Sequence, residues 1–429
     1  MSKVFFGNSG AEANEGAIKA ARKYSFDHYG KGRDTVITLV NSFHGRTIAT
    51  LTATGQEVFH NYFGPFNEGF LYAPAGDLEA LTELVDRHTC AVMLELVQGE
   101  GGVVALDPEY VQAVRKLCDE KDLVLIVDEV QTGVGRTGTF LCCEHYNLKP
   151  DVVTLAKGLG GGLPIGAVLM NAKVAEGMGA GTHGSTFGGN PVVCAGANVV
   201  VDRMDQSFLA NVNERAVQLR TGLAKLPMVK SISGIGLMVG IEFFGNVKAA
   251  DVLAACREKG LLVLTAKTRL RLLPPLTLTA HDVEMALTIL NEVLSEMLRN
   301  RRRNRHETSA ENGRPHPRRA DPHPRCGGQA QGRPESRGHR SPAEGQERGA
   351  DVLQNSTRTR TSFEVGVYQL GGLGNYMNAA TELQSGRGEP SRTLPACWAA
   401  ITTAWCGAPT ASATSKSSPS WRACRSSTA

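Results

Sequence analysis

Up to about Asn300 the chain alternates short apolar runs with longer amphipathic stretches. Val4–Phe6, Thr35–Val40, Ala91–Leu96, Leu123–Asp128, Asp151–Leu155 and Ile165–Met170 are apolar, mostly rich in β-branched residues and bounded by polar or turn-forming ones, which predicts strands. Between them, Ala13–Tyr24, Asp77–Arg87, Pro108–Lys121 and Val192–Met204 carry helical periodicity. Ser9 and Glu12 have capping-box spacing, so the first helix is expected to begin at Ser9. Pro108 suits the first turn of its own helix. Helices between successive strands, joined by short links, predict an α/β architecture with a mostly parallel, right-handed sheet. Val4–Phe6 is expected to be a core strand of that sheet.

Near Asp205 the pattern changes. A helix, strand-like alternation over Ser231–Phe244, a helix at Ala249–Lys259, a strand at Leu261–Thr265, the run from Arg269 and a closing helix at Ala280–Arg299 read as a smaller α+β unit. The expected organisation is a large domain over 1–205, a small C-terminal domain over 206–300, and a tail over 301–429. The start of that tail is dominated by Arg, Pro, Gly, Glu and His and is expected to be disordered.

An open parallel sheet gathers its ligand outside the carboxyl ends of its strands, so Asp128 and Lys157, both just past such ends, face one crevice. Singly, Asp128 reads equally as a turn cap and Lys157 as a solvated loop lysine. Other strand ends add to them. Phe43 can lie on a flat heterocycle and Arg46 can fork onto a carboxylate, the alternative being a core ring and a surface cation. His44 is read as a local hydrogen-bonding residue. Glu95 and Glu100 flank the crevice on a glycine-rich loop, Glu100 as a gate or a solvated charge. Gly10 and Ala11 expose amides at a helix N-terminus, which suits a phosphate or is a plain helix start. Ser185 and Thr186, in HGSTFGGNP, offer a second anion cradle, and Gln131 follows Asp128 into the same pocket.

A lysine amine, a carboxylate, a stacking ring and phosphate-cradling amides together match the needs of pyridoxal phosphate. The amine bonds to its aldehyde, the acid keeps the pyridine nitrogen protonated, and the amides hold the phosphate. A lysine freed from that bond can also move a proton between substrate and cofactor, a role arginine does not fill.

The stretches FFGNSGAEANEGAIKAARKY, SFHGRT, ELVQGEGGV, RKLCDEKDLVLIVDEVQTGVGRTG, PDVVTLAKGLGGGLPIGAVL, HGSTFGGNP, GIGLMVGIEF and RLLPPLTL occur in this order. With them, Val4–Leu294 resembles the class III aminotransferases, most closely those acting on acetylornithine. The resemblance implies the fold type I architecture of pyridoxal-phosphate enzymes and a homodimer with active sites at the subunit interface. It implies that Lys157 bonds the cofactor, Asp128 pairs with the ring nitrogen, Phe43 and Val130 take the two ring faces and Gln131 reaches the ring oxygen. Ser9, Gly10 and Ala11 would hold the phosphate, and Thr186 the phosphate of the neighbouring subunit. Arg46 and Arg271 would bind substrate carboxylates near Ser185, with Glu100 shielding Arg271 when a single-carboxylate end enters. The implied substrates are N-acetylornithine and the 2-oxoglutarate/glutamate pair; ornithine, succinylornithine and 4-aminobutyrate aminotransferases, or an inactive cofactor-binding fragment, are the alternatives. Two departures stand out: the family pattern has a further segment ahead of the position matching Met1, and Leu96 stands where a proline usually follows Glu95.

Within the tail, Asn355–Pro390 resembles the carbamoyl-phosphate loop and following helix of the ornithine carbamoyltransferases, with Ser356, Thr357, Arg358 and Thr359 at the phosphate positions. Its flanks have the biased composition of out-of-frame translation.

Composition narrows the picture further. The formal charge of +4 is small, and much of the positive excess lies after Asn300, so nucleic acid is not an expected partner. Ten cysteines without paired CxxC spacing argue against a zinc site or disulfide framework and for a reducing, cytoplasmic setting, with Cys142-Cys143 read as core. No uncharged apolar run approaches the roughly 18 residues of a membrane span.

Overall fold

The computed structural model describes residues 1–312, with side chains described through residue 302. The carbamoyltransferase-like stretch Asn355–Pro390 lies outside the described residues. In chain order the elements are β1 (Lys3–Gly7), α1 (Gly10–Tyr29), β2 (Thr35–Leu39), α2 (Ile48–Ala53), β3 (Phe70–Ala73), α3 (Leu78–Leu84), β4 (Thr89–Leu94), β5 (Val97–Gln98), β6 (Val104–Ala105), α4 (Pro108–Glu120), β7 (Val124–Asp128), β8 (Val152–Leu155), β9 (Gly166–Met170), α5 (Ala172–Ala175) and α6 (Pro191–Arg203). After them come α7 (Gln206–Leu223), β10 (Val229–Ser233), β11 (Val239–Phe243), α8 (Ala249–Glu258), β12 (Leu264–Ala266), β13 (Arg269–Leu272) and α9 (Ala280–Asn312).

Side-chain caps set the helix starts. The Ser9 hydroxyl accepts from the Glu12 amide at 3.2 Å. The Glu12 carboxylate turns back one residue further than a standard capping box, accepting from the Asn8 amide at 2.6 Å. Asp107 caps α4 through the amides of Glu109 and Tyr110, with Pro108 at its start. The inner face of α1 is small, with Ala13, Ala17, Ala20 and Ala21 buried, so the helix axis lies close to the sheet.

The large sheet has seven strands in the order β1-β9-β8-β7-β4-β2-β3. Strands β8, β7, β4, β2 and β3 are mutually parallel, whereas β9 runs antiparallel to both of its neighbours, so β1 points the same way as the parallel set. Every residue of β4 and β7 is buried, as expected of strands covered on both faces. One expectation is corrected: β1 is an edge strand, paired with β9 alone and leaving Val4 and Phe6 exposed. Its apolar residues resembled those of a core strand because they pack on only one side.

A second, four-stranded antiparallel sheet has the order β10-β11-β13-β12. The alternating stretch around Gly234 and Gly236 is its β10–β11 hairpin. Val212 and Leu219 of α7, Val252 of α8 and Val283 and Leu290 of α9 pack on Val239, Ile241 and Leu270 of this sheet. Helix α9 continues to Asn312, past the expected end at Arg299. The polar residues there are good helix formers, and the first breakers are Gly313 and Pro315, so low hydrophobicity did not mean loss of helix. No helix among the described residues is long and apolar enough to cross a membrane.

Candidate active site

Because β1 runs with the parallel set, the site residues leave the sheet along one edge. Ser9 and Gly10 follow β1, Phe43 and His44 follow β2, Glu95 follows β4, Asp128 ends β7, and Lys157 lies two residues past β8. Arg271 arrives separately, from β13 of the second sheet.

Asp128 is almost fully buried, and both carboxylate oxygens are held. Oδ2 accepts from Asn14 Nδ2 at 2.7 Å and from His44 Nδ1 at 2.8 Å. Oδ1 accepts from the Val130 amide at 3.0 Å and, more weakly, from Thr154 Oγ1 at 3.4 Å. Asn14 also donates to the His44 carbonyl at 2.6 Å and accepts from Thr154 Oγ1 at 2.7 Å, so the four side chains form one connected buried network. His44 therefore has a more specific place than the local hydrogen-bonding role expected of it: its partner is 84 residues away, and its Nε2 is buried without a partner. Asn14 and Thr154 went unnoticed in the sequence. The available signal was a polar residue on the Ala-rich inner face of α1, one turn before Ala17 and Ile18.

Lys157 differs in every respect. Its backbone is left-handed, with φ of 47°, a conformation costly for a side chain with a Cβ and concentrated at functional sites. Its amine makes no hydrogen bond or ion pair with any described residue. The side chain is open to the crevice, yet protein crowds it closely enough that desolvation dominates and lowers its pKa from 10.5. Asp128, Glu100 and Glu95 oppose that shift, while Arg271 adds to it. Glu95 is buried with its Oε2 accepting from the Phe43 amide at 2.9 Å. Burial, then Asp128, push its carboxyl well above the ordinary 4.5.

Arg271 is buried, with Nη1 donating to Glu100 Oε1 at 2.9 Å and Nη2 to Gln131 Oε1 at 2.6 Å. Its Nε is buried and unpartnered. The Glu100–Arg271 pair expected from the sequence is thus formed, but Gln131 directs its oxygen to the arginine, leaving only its amide nitrogen for a ring oxygen. Arg136 ties the neighbouring turn to the second sheet by donating to the Pro274 carbonyl at 2.6 Å, and burial lowers its pKa to about 10. Glu129, beside Asp128, faces away from the crevice and accepts from the Cys142 and Cys143 amides at 2.8 Å each. Both cysteines are buried, as expected, and burial pushes their thiols up. At the crevice mouth, exposed Arg46 lies 5.3 Å from the Phe43 ring centroid and 4.4 Å from that of Phe59.

At the start of α1, the Gly10 and Ala11 amides precede the first intrahelical bond, so both are free to bind an anion. A Cβ on Gly10 would lie 2.7 Å from Val130 Cγ1, so only glycine lets this helix start approach the Val130 side chain. Ser185 is exposed and accepts from the Asn8 side chain at 3.2 Å and the Gly188 amide at 3.0 Å. Thr186 is exposed as well, away from the buried cluster.

A fixed carboxylate, an unpartnered amine and free helix-start amides along one sheet edge are the donor set that pyridoxal phosphate requires. The family model described as Aminotransferase class-III matches residues 1–294. The acetylornithine aminotransferase of Haemophilus ducreyi is 57% identical over 298 residues, covering 69% of this chain and 76% of its own. That of Caldanaerobacter subterraneus is 52% identical over 301 residues, with coverages of 69% and 76%. Among solved structures, the N-acetylornithine aminotransferase of Stenotrophomonas maltophilia superposes with a TM-score of 0.60 at 35% identity, covering 70% of this chain and 76% of that one. An amine transaminase from an uncultivated Pseudomonas species, solved with pyridoxal phosphate bound, superposes at 0.64 with 28% identity, covering 69% and 77%. This chain belongs to the class-III aminotransferase family. Its fold is that of the pyridoxal-phosphate-dependent aminotransferases, and its cofactor is pyridoxal phosphate.

Proposed function

We propose that this chain transfers the ω-amino group of N-acetylornithine to 2-oxoglutarate, giving N-acetylglutamate semialdehyde and glutamate. The observation that carries the reading is the 57% identity to an acetylornithine aminotransferase across a chain whose Asp128 and Lys157 lie at the carboxyl ends of the paired strands β7 and β8. When bound, the cofactor supplies an electron-withdrawing pyridinium ring that takes up the electrons of a broken C–H bond. Asp128 would pair with the ring nitrogen, and Asn14, His44 and Thr154 keep its carboxylate oriented. Gly10 and Ala11 amides, with Ser9 at the cap, hold the phosphate. Phe43 and Val130 would take the two faces of the ring, and Gln131 would offer its amide nitrogen to the ring oxygen. Lys157 would hold the cofactor through its amine and, as a free amine, would take and return the proton of the substrate carbon. Its lowered pKa raises the fraction of free amine near neutral pH.

Two substrates with different numbers of carboxylates must use one site. Glutamate brings two and N-acetylornithine one, so Arg46 serves a carboxylate in both half-reactions. Arg271 serves in one of them and is masked by Glu100 in the other. Ser185 lines the substrate side. The acting form is a cytoplasmic homodimer, in which Thr186 of one subunit contacts the phosphate held by the other. Supporting this, α6 buries only Ala197 and leaves Val192, Val199 and Val201 exposed, next to exposed Phe187.

Purified protein incubated with pyridoxal phosphate should develop a visible absorption band from lysine-bound cofactor that Lys157→Ala lacks. With N-acetylornithine and 2-oxoglutarate it should form glutamate faster than with ornithine, succinylornithine or 4-aminobutyrate. Cofactor uptake without turnover of any of these would overturn the proposed reaction and leave a binding-only protein.

A further inference from the structure

An exposed arginine side chain has many conformers of similar energy, and freezing it on a ligand opposes binding. Arg46 is exposed, and its guanidinium makes no hydrogen bond or ion pair with any described residue. Two rings hold it instead. The guanidinium carbon lies 4.4 Å from the Phe59 ring centroid and 5.3 Å from that of Phe43, and the two rings meet edge to face at 79° with centroids 5.5 Å apart. A guanidinium held over a ring keeps its N–H edges available to fork onto a carboxylate.

Phe59 is in turn fixed to the stretch that carries Arg46. It ends a single 3-10 turn, Glu57–Phe59, which is tied down on both sides. Before the turn, the buried Gln56 donates through Nε2 to the carbonyls of Asn41 and Ser42 at 3.2 and 3.0 Å. After it, His60 Nε2 donates to the Leu51 carbonyl of α2 at 2.9 Å. These anchor points bracket Phe43 and Arg46 in the chain, so the Phe59 ring keeps its place relative to both.

We infer that Phe59 is a positioning residue for substrate binding: its ring pre-sets the Arg46 guanidinium beside Phe43, so that a substrate carboxylate is received without first ordering the arginine. This rests on the proposed reading of Arg46 as a carboxylate receptor and adds what holds that receptor in place. Because Arg46 serves a carboxylate in both half-reactions, Phe59 acts on both substrates alike.

The test is equilibrium binding of glutarate, an unreactive dicarboxylate, to the cofactor-loaded protein by calorimetry, in a double-mutant cycle of Phe59→Leu with Arg46→Ala. Phe59→Leu keeps apolar bulk without the ring and should weaken glutarate about two- to tenfold, the range for ordering one long side chain. Phe59→Tyr keeps a ring and should bind within about twofold of the parent. In the Arg46→Ala background, Phe59→Leu should have no further effect; where that background binds too weakly to measure, the Phe59→Tyr comparison decides. In steady state, Phe59→Leu should raise KM for N-acetylornithine and for 2-oxoglutarate by similar factors and change kcat less. Equal weakening with and without Arg46, Phe59→Tyr binding as poorly as Phe59→Leu, or unchanged affinity in Phe59→Leu would each overturn the positioning role. Unchanged glutarate affinity in Arg46→Ala would instead overturn the receptor reading itself.

Discussion

Two poles of the same crevice are built on opposite principles. Around Asp128 the donors of Asn14, His44, Thr154 and the Val130 amide are spent on one carboxylate, in a buried and connected network. Around Lys157 and Arg271, the amine has no hydrogen-bond partner among the described residues, the lysine backbone is left-handed, and one guanidinium N–H is orphaned. Under the proposed roles, the difference follows from what each pole would have to do. A group that must stay aligned is stabilised by saturating it. Groups that must change partners at each turnover are better left short of one, since a saturated partner has to be broken first.

The largest effect that would break this contrast is at the saturated pole. Asp128→Asn keeps the shape but removes the charge, and its amide turns a donor towards at least one existing donor. Turnover should fall on the order of 10² to 10³-fold, and the apoprotein should lose about 1–3 kcal/mol in urea unfolding. An unchanged rate would show that the network serves folding alone. A smaller effect is expected one step out, at Asn14→Ala. Three partners of Asn14, the His44 carbonyl, Asp128 Oδ2 and the Thr154 hydroxyl, then each lose a bond, so the apoprotein should lose about 2 kcal/mol, and turnover should fall less than in Asp128→Asn.

The third effect, with no loss of stability at acid pH, sharpens the unsaturated side and shows itself only as a function of pH. The Glu95 carboxyl is raised above 4.5 in the folded state, so the folded chain binds a proton that the unfolded chain has already lost. Stability from this group is therefore full below 4.5 and is lost as pH rises through the folded value. Glu95→Gln, which can still accept from the Phe43 amide, should leave apoprotein stability unchanged at acid pH. It should make the variant progressively more stable than the parent towards pH 8, by at most about 1.4 kcal/mol per pH unit. A constant difference across the range would mean that Glu95 is ionised throughout.

The sequence was informative where chemistry depends on local order. Ser9 capping α1, Pro108 at the head of α4, and the apolar strands ending at Asp128 and just before Lys157 are all decided by neighbours a few residues away. Residues met in partnership across long separations were less visible. His44 lies 84 residues from Asp128, and Asn14 lies 114 from it. Nothing in the local pattern tells a buried histidine holding a carboxylate from one bonding to its own loop. Gln131 was legible only in part. Its position after Asp128 announced a pocket residue, but its bond to an arginine 140 residues on exists only because β13 lies against the loop after β5.

By itself, then, the sequence determined the alternation of elements and the helix starts, and it put an acid and an amine at the ends of two strands. Periodicity, caps and strand ends are short-range consequences of side-chain shape and hydrogen-bonding capacity. Only the tertiary structure decided that β1 is an edge strand, that Asp128 is saturated while Lys157 is strained and unpartnered, and that Arg271 is shared between Glu100 and Gln131. Each of these depends on which backbone is brought against which. Burial then sets the outcome, because a polar group removed from water must take whatever partner the fold has put within reach.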